Sequence, residues 1–155
     1  MHIITNEISL TPLTIEDAAI ILSLDNANRQ HLAKYLYWVD GVTEMASAER
    51  YISERVNSGL PNAQWHIVQF NRQPCGVFAI KSIDESGVAE LGYWLSRSAC
   101  GHGIISQIVT TLTSDPFIHQ IKIIEFRCLE QNIASIAIAK KSGAELVTSL
   151  PDFIV

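Results

Sequence analysis

No stretch of this sequence holds the ~20 consecutive apolar residues needed to cross a bilayer, and its start, MHIITNEISL, has no basic segment leading into a long apolar one. Neither a membrane span nor a secretory leader is expected. Basic residues are scarce: eleven Lys and Arg against sixteen Asp and Glu give a net charge of −5. That leaves little for a basic face and argues against direct nucleic-acid binding. The same balance suits a cationic or neutral partner better than an anionic one. Cysteine is sparse too. Cys75, Cys100 and Cys128 lack metal-ligand spacing, and their odd number fits a reducing compartment. A cytoplasmic location is expected, with no bound metal. Charged residues make up only 17% and apolar ones 48%, a balance that excludes disorder. With 155 residues and no internal repeat or low-complexity tract, one domain spanning 1–155 is expected.

The pattern of elements alternates. EISLTPL reads as a strand, and TIEDAAIILSL as a helix with Thr14 as N-cap and Ile15, Ala18, Ala19 and Leu22 on one face. Thr43 is expected to cap a second helix whose Met45, Ala48, Ile52 and Val56 form its apolar stripe. Three β-like runs follow, QWHIVQF, CGVFAIKSI and VAELGYWLS. NRQP and DESG separate them as turns, so they read as an antiparallel meander. Ile104, Ile105, Ile108, Val109 and Leu112 then recur at helical spacing until Asp115-Pro116. IKIIEFRCL is the next strand. NIASIAIAKKSGA is a helix between an N-cap at Asn132 and a stop at Gly143, and ELVTSL a last strand. The order β-α-α-β-β-β-α-β-α-β predicts a mixed α/β sheet, antiparallel first and parallel later.

Gly101-His102-Gly103 stands where a strand gives way to a helix. Glycines there open backbone conformations closed to other residues and let the main chain approach a ligand. The first helical turn adds unpaired N–H groups and partial positive charge. The pattern suits a phosphate cradle, and equally a plain tight turn. A dinucleotide fingerprint would need another glycine where Ser106 stands, and the Gly-Lys-Ser/Thr ending of a Walker loop is absent.

Three segments together resemble the GNAT superfamily of acyl-CoA-dependent N-acyltransferases, in particular its RimL-like branch of ribosomal-protein N-terminal acetyltransferases. They are AELGYWLS followed by GHGI, RCLEQNIASIAIAKKSGAEL, and LAKYLYWVDGVTEMASAERYI. The resemblance implies helices on both faces of a sheet splayed around the CoA arm. It implies main-chain amides of Gly101, His102, Gly103, Ile104 and Ile105, with the Ser106 hydroxyl, around the CoA pyrophosphate. Trp94 and Leu95 would bond the pantetheine arm through their backbone, as an added strand does, and Asn132 would hold it from the other side. The segment containing Trp38, Asp40 and Glu44 shapes the acceptor side in relatives.

The chemistry this implies is direct transfer of acetyl from acetyl-CoA to a primary amine, a protein N-terminus or a small amine, in a ternary complex. Glu90 is the expected general base, acting through water, and Ser135 the proton donor to the departing thiolate. Strand alternation puts Glu90, Gly92 and Trp94 on one face, opposite Leu91, Tyr93 and Leu95. The sequence also departs from the superfamily. Cys100 stands at the usual Gln/Arg position of the loop, and Ala139 where many members carry a tyrosine acid. Twelve residues follow Gly143, fewer than in RimL-like relatives, so a homodimer covering the final sheet edge, or a cropped acceptor side, is expected. These departures keep a second class open: a non-catalytic acyl-CoA-binding or dimeric interaction protein.

Overall fold

The turn at Asn71-Arg72 sets the first long hairpin. Both residues hold left-handed φ, 50° and 65°, the two-residue turn whose twist matches that of the strands it joins. In the computed structural model, which describes residues 1–114, 120–150 and 153–155, this hairpin lies within a six-stranded sheet. Its spatial order is β1 (His2–Ile3), β2 (Ile8–Pro12), β3 (Gln64–Phe70), β4 (Gln73–Ile83), β5 (Val88–Leu95) and β6 (Ile123–Phe126). Pairing is antiparallel through β5 and parallel between β5 and β6. The expected meander and later parallel strand are both present.

Alternation along the strands feeds two cores, so the sheet is covered on both faces. Ile67, Val77 and Trp94 pack with α1 (Ala18–Leu32) and α2 (Met45–Val56). Val68, Phe78 and Leu91 pack with α3 (Ile104–Ser114), whose five expected apolar positions are all buried. The residues that were expected to end this helix, Asp115-Pro116, lie outside the described ones, as does Pro151.

Local readings shift in four places. A 3-10 turn at Ile15–Asp17 precedes α1, and its buried face is Ala18, Ile21, Asp25 and Leu32 rather than the stripe through Ile15, Ala19 and Leu22. α2 is capped at Glu44, not Thr43, and Met45 and Val56 are exposed. The run at 121–129 divides: β6 stops at Phe126, and β7 (Cys128–Leu129) joins a separate small sheet. In that sheet β9 (Phe153–Ile154) lies between β7 and β8 (Ser149–Leu150), so the chain's last residues cover one edge of the shortened final strand.

α4 (Ile133–Lys141) ends as expected. Gly143 holds φ 88°, and the bonds Ala144 N–H to Ala139 O and Gly143 N–H to Lys140 O, 3.0 Å each, close its last turn. Among the described residues no helix is long and apolar enough to cross a membrane.

Candidate active site

β5 and β6 pair from Val88↔Ile123 to Leu91↔Phe126, and there the pairing stops. Gly92–Leu95 remain bonded to β4 alone, while the other arm leaves with β7. The sheet therefore forks, exposing one backbone edge of β5. A cavity of about 540 Å³ opens at the fork, walled by both arms, by α4 residues, and by side chains of α2 and the segment at 35–38.

Between the arms, Ser135 Oγ lies 2.7 Å from Tyr93 Oη and 3.3 Å from Cys128 Sγ. Its backbone N–H donates to the Asn132 Oδ1 cap at 3.2 Å, which fixes Ser135 in the first turn of α4. Burial pushes the Tyr93 hydroxyl up to about 12, the Ser135 bond pulling it down and Cys128 adding to the rise. At neutral pH both hydroxyls keep their protons, and either can donate to the other. Sequence reading placed Ser135 and Asn132 here but missed Tyr93, 42 residues from Ser135.

Glu90 lies outside the cavity lining. Its carboxylate faces Arg127 Nε at 3.2 Å and Lys81 Nζ at 3.7 Å, and Arg127 also meets Glu125 at 2.6 Å. Trp94 turns its side chain to the α1/α2 core, where Nε1 donates to Tyr51 Oη at 3.0 Å. That leaves its backbone on the fork. Leu95, its neighbour, packs toward the α3 side.

Beyond β5, Gly101 and Gly103 hold left-handed φ of 84° and 69°. A Cβ on Gly101 would meet nothing within 4 Å, and one on Gly103 only Gln107 Nε2 at 3.7 Å. The loop is thus a tight turn whose glycines face open space. The first helical bond runs from Gln107 N–H to Gly103 O, so the N–H groups of Ile104, Ile105 and Ser106 have no partner within the helix. The Gln107 side chain ties the loop by donating to the carbonyls of His102 and Gly103. The His102 ring packs on Phe70, with centroids 5.1 Å apart.

A second hollow, of about 750 Å³, lies between the end of α1 and this loop, lined by His31, Lys34, Arg97 and Cys100 among others. Burial raises the Cys100 thiol above its ordinary value. Its sulfur sits 3.7 Å from His31 Nε2 and donates to Ser96 O at 3.5 Å. Cys100 brings no charge to the Gln/Arg position, but the hollow beside it carries the basic groups of Lys34 and Arg97.

The acceptor-side segment divides. Trp38 lines the forked cavity, its ring tilted against Tyr51 at 4.3 Å between centroids, whereas Asp40 and Glu44 are exposed and not among its lining residues. Arg55, which sequence reading also missed, lies over the Tyr51 ring at 3.7 Å, with Trp38 and Trp65 at 5.4 and 5.8 Å. Among the described residues no group of three or more His, Cys, Asp or Glu is placed to hold a metal ion.

Several solved structures share this architecture. The microcin C7 self-immunity acetyltransferase MccE, in complex with acetyl-CoA and AMP, superposes with a TM-score of 0.82 at 22% identity, over 94% of this chain and 82% of that one. RimL, a ribosomal L7/L12 alpha-N-protein acetyltransferase in complex with CoA, gives 0.80 at 21%, over 94% and 84%. RimJ of Mycobacterium smegmatis gives 0.75 at 20%, over 91% and 71%. At these identities the likeness establishes the fold. No curated protein sequence matches the chain. The family model for the acetyltransferase (GNAT) domain matches residues 7–145, taking in the fork, the glycine loop and the Asn132 cap. The chain therefore belongs to the GNAT family, as an acetyl-CoA-dependent acetyltransferase.

Proposed function

We propose that the chain moves an acetyl group from acetyl-CoA to a primary amine, a protein N-terminus or a small amine, by direct attack in a ternary complex. The observation that carries this reading is the fork itself. Ser135 on α4 bridges its two arms, touching Tyr93 on β5 and Cys128 on β7, and an open helix N-terminus follows β5.

The residues fit the cosubstrate. The backbone of Gly101, His102, Gly103, Ile104 and Ile105, with Ser106 beside them, would hold a pyrophosphate on unpaired N–H groups and helix dipole. The free edge at Trp94 and Leu95 would bond the pantetheine amides, with Asn132 opposite. Acetyl-CoA supplies an acetyl group activated as a thioester. Glu90 takes one proton of the ammonium through water at the Arg127 side of the fork to free the amine, and as the adduct collapses Ser135 Oγ passes its proton to the departing sulfur and takes the surplus one from the nitrogen. A protein N-terminus is supported by an acetyltransferase from Salmonella typhimurium, which modifies the N-terminal serine of the 50S ribosomal subunit protein L7/L12 and matches at 21% identity with a TM-score of 0.80.

The odd set of free thiols supports a cytoplasmic enzyme. Among the described residues β6 ends the sheet order with a neighbour on one side only, which supports a homodimer that covers this edge; sedimentation velocity tests it.

Thermal unfolding with acetyl-CoA, followed by an amine-dependent thiol-release assay, tests the function. Acetyl-CoA at ~100 times its dissociation constant should add about 2.7 kcal/mol of stability. Ser135→Ala and Glu90→Gln should each lose transfer while keeping that stabilisation. Stabilisation without transfer to any amine would favour a non-catalytic acyl-CoA-binding protein, and no stabilisation at millimolar acetyl-CoA would refute the reading.

A further inference from the structure

The charges in the cavity wall run against those of the whole chain. The protein carries a net charge of −5, yet among the described residues the charged ones that line the fork are Arg55, Lys81 and Arg127, with no carboxylate. Two of these cations are already answered. Glu90 faces both Lys81 and Arg127, and Glu125 holds Arg127 at 2.6 Å. Arg55 is different: it makes no ion pair among the described residues.

Arg55 is half-buried. One nitrogen donates to the Tyr51 carbonyl at 3.1 Å, and the guanidinium carbon lies 3.7 Å from the Tyr51 ring centroid within the aromatic frame described above. Aromatic faces return only part of the hydration that such a cation loses on burial. The Nε1 donor of Trp65, in the same frame, is buried with no hydrogen-bond partner. The nearby carboxyl of Asp25 is fully buried, and burial pushes it up to about 7 against the pull of Arg29 and Arg55. Below about pH 7 it leaves the Arg55 charge largely uncompensated. A planar guanidinium presents a fork of donors that matches a carboxylate or a phosphate.

We propose that the acceptor is an amine bearing an anionic group, a carboxylate or a phosphate, and that Arg55 receives that group. This rests on the reading of the fork as the acceptor end of an acetyltransferase. It opposes what the net charge of the sequence suggests about the acceptor. Net charge is spread over the whole chain, whereas a bound molecule meets only the wall in front of it.

The chain's three tryptophans, Trp38, Trp65 and Trp94, all line this cavity, so intrinsic fluorescence reports its occupancy without acetyl transfer. The probes are two matched pairs: Ser-Glu-Glu-Ala amide against Ser-Lys-Lys-Ala amide, and phosphoethanolamine against ethanolamine. We expect at least one anionic member to bind about tenfold or more tightly than its partner, the pair that responds identifying carboxylate or phosphate. The preference should shrink in ~0.5 M salt, disappear in Arg55→Gln and persist in part in Arg55→Lys. Equal or reversed preference in both pairs, no response to any probe, or an unchanged preference in folded Arg55→Gln overturns the proposal. Should Arg55→Gln fail to fold, a wild-type preference that salt leaves unchanged overturns it as well. A thiol-release assay on the same probes keeps the two readings apart. Anion-selective binding with no transfer to any amine refutes acetyl transfer alone, and transfer to the basic probes alone refutes the anionic acceptor alone.

Discussion

Replacing Asp25 by asparagine should stabilise the protein progressively as the pH rises. Asp25 has no accessible surface, and neither carboxylate oxygen has a hydrogen-bond partner. Burial outweighs the pull of Arg29 and Arg55 and raises its value from 3.8 to about 7. Between about pH 4 and pH 7 the folded chain therefore holds a proton that the unfolded chain has released, and stability falls across that window before levelling off above it. A shift of about three units corresponds to about 4 kcal/mol. An asparagine amide in its place titrates in neither state. Any fixed cost of that amide is the same at every pH and cancels when only the change in the gap is read. Urea unfolding of both proteins at about pH 4.5 and about pH 8 should show the gap in favour of Asp25→Asn widening by about 3 kcal/mol. At the usual ~1–3 kcal/mol per molar urea, that moves the relative midpoint by a molar or more. A gap that stays constant within about 1 kcal/mol would mean that the Asp25 carboxyl ionises in the folded protein much as it does in the unfolded one, and the account of this core would be wrong.

If Tyr93 acts by holding the Ser135 hydroxyl, Tyr93→Phe should lower kcat by about tenfold and leave the KM for acetyl-CoA unchanged. The double variant with Ser135→Ala should then be no slower than Ser135→Ala alone, whereas additive losses would show that the two hydroxyls act separately. At the other end of the site, Gly101→Val forces a β-branched residue into a left-handed conformation and fills the open face of the loop. It should remove most of the acetyl-CoA-induced rise in Tm. A rise equal to that of the wild type would refute the cradle.

Where a residue's role follows from its immediate neighbours in the chain, it was legible in advance. The five apolar positions of α3 are all buried, Asn132 caps Ser135, and Gly143 takes the left-handed position that closes α4, because each depends only on residues three or four places away. α1 misled because a carboxylate occupies a core position: Asp25 interrupts the stripe that runs through Ile21 to Leu32, so periodicity settled on the wrong phase. At α2 the capping pair is reversed. Ser47 Oγ accepts from the Glu44 N–H at 3.1 Å, so a search for a hydroxyl ahead of the helix stopped one residue early at Thr43.

The fork itself could not be seen. IKIIEFRCL has the same strand-like composition throughout, and only the change of partner, from β5 at Phe126 to β9 at Cys128, divides it. The parts of the site that escaped the sequence share this origin. Tyr93 gains its meaning from a serine on α4, 42 residues away, and Arg55 from Trp38 and Trp65 as well as from Tyr51 one turn back on its own helix, so local spacing shows only a part of either arrangement. The residues missed are those whose surroundings come from distant parts of the chain, and under the proposed reading Arg55 is the one that meets the acceptor. In this chain the glycine loop and the helix cap were readable locally, while the cavity at the fork exists only once the sheet has split.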